Sequence, residues 1–139
     1  MKNLFAYAEA CLHRTTIEEK LIWTHQAWHD FNHNALSLDD DMPGLAIAEV
    51  KFPDRPVQLP VREMPKRKLT SPEGIAAFFH AIAHVEFVAI YLAWDIIYRF
   101  RGMPKEFYLD WLRVADEEAQ HFELIGLHLQ KMGIAYGDL

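Results

Sequence analysis

Three residues in the second half of the chain have the types and spacing of a metal site. Glu86 interrupts one long apolar segment, and Glu118 and His121 interrupt the next. A buried carboxylate without a partner costs several kcal/mol or takes up a proton, and a divalent cation removes that penalty. Carboxylate oxygens and imidazole nitrogens are common ligands of divalent metal ions. We therefore identify Glu86, Glu118 and His121 as candidate metal ligands.

The elements that must position these residues are two long helices. Residues 72–101 and 104–132 have helical periodicity, and the connection between them is short enough to force an antiparallel hairpin. Counted from the middle residue of that connection, Glu86 lies 17 residues before it, while Glu118 and His121 lie 15 and 18 residues after it. At about 1.5 Å rise per residue, the three side chains are expected within roughly 5 Å of one another in height. A Glu-x-x-His spacing also places both of its side chains on one side of a helix.

A structural role is the alternative for each glutamate. Either carboxylate could pair with an Arg or Lys from elsewhere in the fold, or lie at the edge of its apolar face. The coincidence of height and the imidazole one turn from Glu118 favour a shared metal ion over two separate ion pairs.

Four other histidines have the spacing of metal ligands but lack partners in the sequence. His80 and His84 lie one turn apart, yet His84 is rotated by about 200° from Glu86. We expect both to form hydrogen bonds with neighbouring polar groups, and a supporting contact behind the metal ligands is the alternative. His25 and His29 repeat the spacing without a visible partner cluster, which predicts surface or packing roles.

Helix-starting and helix-stopping residues mark the boundaries. Ser71 is expected to cap the third helix, and Thr16 begins a capping box that starts the second. Gly102 ends the third helix, Pro104 begins the fourth and Gly133 ends it.

These boundaries predict an all-α domain over residues 1–139. Two short N-terminal helices occupy residues 1–31, an extended arm occupies 32–70, and the helical hairpin occupies 71–133. The arm contains five of the seven prolines and holds no helical or strand period, so we expect an extended backbone laid across the helices.

Composition narrows the functional classes. The net charge of −6 argues against a general nucleic-acid surface, which draws on clustered Lys and Arg. Cys11 is the only cysteine, so one chain has neither a disulfide framework nor a thiolate metal cluster. The N-terminus lacks the apolar region of a signal peptide, and no segment reaches about 20 uninterrupted apolar residues. We expect a cytoplasmic protein that does not span a membrane.

Several motifs together resemble a bacterial ferritin-like family that is described as a domain of unknown function. The resemblance extends over nearly the whole chain, including the proline-rich arm. The motifs that carry it are His80-Ala-Ile-Ala-His84-Val-Glu86, Ala93-Trp94-Asp95, Arg99-Phe100, Asp110-Trp111, Val114-Ala115-Asp116-Glu117-Glu118-Ala119-Gln120-His121-Phe122 and Tyr136-Gly137-Asp138-Leu139. The helices of that family are similar to those of the tRNA hydroxylases and other di-iron proteins. The resemblance implies a ferritin-like hairpin, half of a four-helix bundle.

The resemblance also implies a dinuclear iron or manganese centre. Glu86 would be a terminal or bridging carboxylate, Glu118 a bridging carboxylate and His121 a terminal imidazole. Members of the family continue into two further helices that bring the other half of the ligand set. This chain matches the N-terminal half, so we expect a homodimer that completes the bundle; a truncated product or a single, weakly bound metal is the alternative.

Three functions follow from this ligand set. As an enzyme, the chain would be an oxygen-dependent, non-haem di-iron oxidoreductase whose substrate the sequence does not identify, with tRNA as one option by analogy. As a binding module, it would hold or store metal. As a structural protein, it would be a metal-free helical interaction partner or an inactive fragment.

Overall fold

The computed structural model describes residues 2–13, 16–39 and 71–138, and it is mostly helical. The elements in chain order are β1 (Lys2–Asn3), α1 (Leu4–His13), α2 (Ile17–Asn32), β2 (Leu36–Ser37), α3 (Pro72–Arg99) and α4 (Lys105–Lys131). The all-α prediction is confirmed for this part of the chain, apart from a two-residue parallel pairing of β1 with β2 that the sequence did not suggest. The greater part of the predicted extended arm, residues 40–70, lies outside the described residues.

The ends of α3 and α4 follow the local signals in the sequence. The Ser71 Oγ accepts a hydrogen bond from the Gly74 N–H at 3.0 Å, as the predicted N-cap requires. Gly102 and Gly133 adopt φ values of 67° and 78°, a region that glycine enters without steric cost. Each helix is slightly shorter than predicted, because α3 ends at Arg99 and α4 begins at Lys105.

The hairpin of α3 and α4 is the centre of the fold, and the N-terminal helices cover one side of it. Helix α1 packs against α3, and α2 packs against α4. The fully buried side chains between them are mostly large and apolar: Leu4, Leu12, Phe87, Ile90, Trp94, Ile97, Tyr108, Leu112 and Leu129. Burial of these residues against α1 and α2 defines what we call the closed side of the hairpin.

The buried face of α3 differs from the one that its periodicity suggested. Ile75, Ile82 and Phe100 recur at helical spacings, which predicts that they share the buried face, but Ile75 and Phe100 are exposed. The core instead contains Phe87 and Trp94, which lie on the neighbouring face. The reason is that α3 is apolar on almost every side, so periodicity alone cannot identify the side that the N-terminal helices cover.

A buried lysine joins the first three helices. The Lys20 Nζ donates a hydrogen bond to the Cys11 carbonyl at 2.9 Å and lies 4.1 Å from the centroid of the Tyr91 ring. Burial lowers the pKa of Lys20 to about 8. The long side chain therefore connects α2 with α1 and α3 through these contacts.

The segment after α4 folds back onto α3. The Gly137 N–H donates to the His80 Nε2 at 2.9 Å, and the Tyr136 hydroxyl lies 2.8 Å from the His84 Nδ1. The Tyr136 ring also packs edge-on against Phe122 of α4. Both histidines therefore form hydrogen bonds that hold the C-terminal segment against α3. Such hydrogen bonds with neighbouring polar groups are what the sequence predicted for them.

Helix α3 is also long and apolar enough to cross a membrane, judged by length and composition alone. Its most apolar 18-residue window has a mean hydropathy of 1.8, and a third of that window is buried inside the fold. A core helix of a soluble protein passes the same test. The low buried fraction means that much of the apolar surface of α3 lacks a cover among the described residues.

Candidate metal centre

The structure brings together the three residues that the sequence singled out. Glu86 comes from the middle of α3, and Glu118 and His121 come from successive turns of α4. One ligand atom from each residue can be chosen so that all three atoms lie within 4.8 Å of one another. The His121 Nδ1 lies 3.7 Å from a carboxylate oxygen of Glu86 and 3.7 Å from one of Glu118.

This spacing fits ligands of one ion better than it fits hydrogen bonds. Hydrogen bonds between charged nitrogen and oxygen are about 2.7–2.9 Å long, so 3.7 Å is too long for either contact. Ligand atoms about 2.1 Å from a metal lie roughly 3–4 Å from one another in tetrahedral or octahedral geometry. The donors therefore fit a divalent ion after small side-chain adjustments. Two carboxylates and an imidazole are a suitable set for iron or manganese.

The charge balance of the cluster also fits a divalent ion. Among the described residues, neither Glu86 nor Glu118 has a Lys or Arg within ion-pair distance, so the arginine or lysine partner considered from the sequence is not found there. Both carboxylates are partly shielded, with side-chain exposures of 22% and 24%. His121 can neutralise at most one of the two charges when protonated, which leaves a net negative site.

The cluster lies on the side of the hairpin that α1 and α2 leave uncovered, which we call the open side. Phe78, Val85 and Leu92 recur every seven residues of α3 on this side, and all three are exposed. Leu124, one turn after His121 on α4, is exposed as well. Large apolar side chains are therefore exposed on both helices that carry the candidate ligands.

Sequence reasoning missed a second cluster, on the opposite side of α4. The His25 ring of α2 lies with its Nδ1 2.6 Å from an Asp116 oxygen and its Nε2 2.6 Å from a Glu123 oxygen. The other Asp116 oxygen accepts a hydrogen bond from Gln120 at 2.8 Å. The structure thus shows a partner cluster for His25 that was not visible in the sequence. The available signal was the seven-residue spacing of Asp116 and Glu123, which places both on one face of α4.

Opposing effects act on the protonation of His25. Burial lowers the pKa of its ring, but the hydrogen bonds to Asp116 and Glu123 raise it more, so the pKa lies above its usual value. Both ring nitrogens face a carboxylate, and an imidazole can donate from both nitrogens only when it is protonated. The positively charged ring is therefore the form that this site stabilises.

The remaining candidates have structural surroundings. His29 is exposed and pairs loosely with Asp30 at 3.4 Å, as its surface role predicts. Glu117, the neighbour of Glu118, is exposed. Tyr91 and Trp94 are buried core aromatics, as expected from the sequence.

Comparison with known proteins identifies the family. The profile of a family described as "Protein of unknown function (DUF455)" matches residues 13–139, which include both clusters. The chain belongs to the DUF455 family. An "Uncharacterized protein" of Haemophilus influenzae is 45% identical to it over 94 residues. That match covers 63% of this chain and 33% of the relative, so the chain spans about a third of the length of this relative.

No solved structure matches the chain. For this DUF455 member, the fold and the candidate site therefore rest on its own residues and geometry. The family assignment agrees with the predicted resemblance to a family of unknown function.

Proposed function

We propose that this chain carries half of a ferritin-like, non-haem dinuclear centre, with Glu86, Glu118 and His121 as its ligands for iron or manganese. The observation that carries the proposal is the convergence of three donor atoms within 4.8 Å. The distribution of the three residues over two helices also supports the proposal. A Glu on one helix and a Glu-x-x-His on its neighbour make half of the ligand set of the ferritin-like carboxylate proteins.

The residues of the site would each make a separate contribution. Glu86 and Glu118 supply negative charge that favours a divalent cation, and His121 supplies a neutral nitrogen ligand. His121 is the most exposed of the three, with 54% of its side chain accessible, so an ion can approach from its side. A pair of ferrous ions in such a centre supplies electrons for the reduction of dioxygen. We therefore propose an oxygen-dependent oxidoreductase, whose substrate is not identified by these residues.

Three ligands do not complete a dinuclear centre, so a second half must come from other helices. We propose that a second copy of the hairpin supplies it in a homodimer. The exposed stripe of Phe78, Val85 and Leu92 supports this arrangement, because apolar helix faces associate around a shared core. Further helices of a longer polypeptide are the alternative, since the Haemophilus influenzae relative is about three times as long as the segment it shares with this chain.

Native mass spectrometry after loading with Fe²⁺ or Mn²⁺ tests the centre and its completion together. We expect two chains with two metal ions per assembly. Leu92→Asp should give metal-poor monomers, because it places a charge in the proposed dimer contact. A metal-free monomer under iron-replete conditions would contradict the di-iron proposal, and a loaded monomer would contradict only the homodimer.

Metal binding without catalysis is the second candidate function. The exposure of His121 favours it, since an open site exchanges ions with solvent. Oxygen consumption with limiting Fe²⁺ and an added electron donor separates the two functions: an oxidoreductase consumes more oxygen than its bound iron alone can reduce, whereas a binding module stops after its bound iron is oxidised. Glu118→Ala is the control, and it should abolish either response.

A metal-free interaction role is the third candidate. It would leave His121 between Glu86 and Glu118 without an ion, at the 3.7 Å separations found here. Failure of the wild-type chain to bind Fe²⁺ or Mn²⁺ would favour it.

We also propose that the protein is cytoplasmic. The single free cysteine, Cys11, supports this proposal, because disulfides are rare in that compartment.

A further inference from the structure

The cluster around His25 occupies the same stretch of α4 as the candidate ligands. Asp116 and Glu123, which contact His25, are seven residues apart, and both Glu118 and His121 lie between them in sequence. At 100° per residue, Glu118 and His121 are rotated by about 200° and 140° from Asp116. One short stretch of α4 therefore contacts α2 on one side and carries the candidate ligands on the other.

The contacts of His25 restrict how this stretch can move. An imidazole held at 2.6 Å by carboxylates about two turns apart opposes both rotation of α4 about its axis and sliding along α2. A rotation large enough to break either contact would also turn Glu118 and His121 away from Glu86. Asp116 adds stiffness, because it is buried and its second oxygen is held by Gln120.

We propose that His25 is a positioning residue for the metal centre: by bridging Asp116 and Glu123, it fixes the orientation in which α4 presents Glu118 and His121 to Glu86. This inference rests on the proposed metal centre. His25 does not contact the ligands, so its effect is transmitted through the backbone of α4. Partners behind metal ligands commonly change metal affinity by about 10- to 100-fold when they are removed.

The experiment compares Mn²⁺ affinity among variants, measured from the electron paramagnetic resonance signal of the free ion. His25→Gln removes the charge and one of the two contacts, and we expect about tenfold weaker binding. His25→Lys retains a cation with several donors and should recover most of the affinity. His29→Gln is the matched control on the same helix; it lies outside the contact with α4 and should bind as the wild type does.

Circular dichroism of each variant establishes that the helices are intact before affinities are compared. If His25→Gln does not fold, Glu123→Gln replaces it, because it removes one contact at a half-exposed position. It should weaken Mn²⁺ binding several-fold. Rescue by His25→Lys would support positioning through charge.

The outcomes separate the two proposals. Folded His25→Gln or Glu123→Gln protein with wild-type Mn²⁺ affinity would overturn the positioning role and leave the metal centre standing. Wild-type protein that binds no Mn²⁺ would overturn the proposed centre, and the positioning role with it.

Discussion

The two sides of α4 carry the same chemical groups in different geometries. On the closed side, two carboxylates face one imidazole, and each takes a different ring nitrogen of His25 at 2.6 Å. On the open side, Glu86 and Glu118 approach the same nitrogen of His121, both at 3.7 Å. A single nitrogen has one proton or one lone pair, so it cannot bond well to both carboxylates.

This difference separates an internal ion cluster from the proposed set of ligands. The closed cluster satisfies its own charges through short hydrogen bonds, and it needs no further component. The open cluster converges on a point between its donors and leaves negative charge there. Residue types alone do not distinguish the two, since both contain two acids and a histidine. What distinguishes the two clusters is whether the two carboxylates approach different nitrogens of the imidazole ring or the same nitrogen.

The largest effect is expected from a change in the core on the closed side. Phe87→Ala removes a fully buried ring that contacts Phe122 and Tyr136, and it should lower the free energy of unfolding by about 3–5 kcal/mol. Phe78→Ala, at a half-exposed position on the open side of the same helix, should cost less than about 1 kcal/mol. Urea denaturation of the metal-free monomer measures both, and equal losses would remove the distinction between the sides.

The next effect concerns the open cluster. Glu118→Ala should weaken Mn²⁺ binding by at least about 100-fold, because it removes a direct ligand. Its metal-free stability should change by less than about 0.5 kcal/mol, since the carboxylate has no short contact to lose. Glu117→Ala, at the exposed neighbouring position, should change neither property. Calorimetric titration measures the Mn²⁺ affinity, and urea denaturation measures the free energy of unfolding. Strong destabilisation of metal-free Glu118→Ala would show that the open cluster is structural.

The closed cluster should respond in the opposite way. Asp116→Ala removes a buried acceptor of two hydrogen bonds, and it should destabilise the metal-free protein by about 1–3 kcal/mol. This loss should be present in EDTA, because the cluster contains no proposed metal ligand. Urea denaturation in EDTA checks the result, and a loss that appears only without EDTA would show that Asp116 belongs to the metal centre.

A smaller effect is expected from the pH dependence of the stability that His25 contributes. The pKa of His25 is raised in the folded protein, so its contribution to stability is fully present below its unfolded value of about 6.5 and is lost as the pH rises through the folded value. The stability difference between wild type and His25→Gln should therefore be larger at about pH 6 than at about pH 9. Urea denaturation in EDTA at both values measures it. A difference that is independent of pH would mean that the ring acts in its neutral form.

Local signals in the sequence predicted one cluster and missed the other for physical reasons. The approach of Glu86 to Glu118 and His121 depends on helical rise and a short turn, both of which can be counted along the chain. The contact of His25 with Asp116 depends on how α2 packs across α4, and the long segment between them in sequence leaves that arrangement open. The spacing of Asp116 and Glu123 indicates a shared face, but it does not identify the residue opposite.

The same limit applies to the core. Ser71, Gly102 and Gly133 act within a turn of the backbone, so their capping and terminating roles could be predicted. Whether Phe87 or Ile75 would be buried depends on where the N-terminal helices lie, and an evenly apolar α3 contains no such information. The family resemblance was confirmed only at the level of a family of unknown function, while its ferritin-like chemistry stays a prediction.

The bond between Gly137 and His80 determines where the proton of that ring must lie. Because the backbone N–H of Gly137 donates to Nε2, that nitrogen needs its lone pair, and the neutral ring carries its hydrogen on Nδ1. Nitrogen chemical shifts would therefore identify His80 as the Nδ1–H tautomer. Hydrogen exchange at the Gly137 amide would in turn report when the C-terminal segment separates from α3.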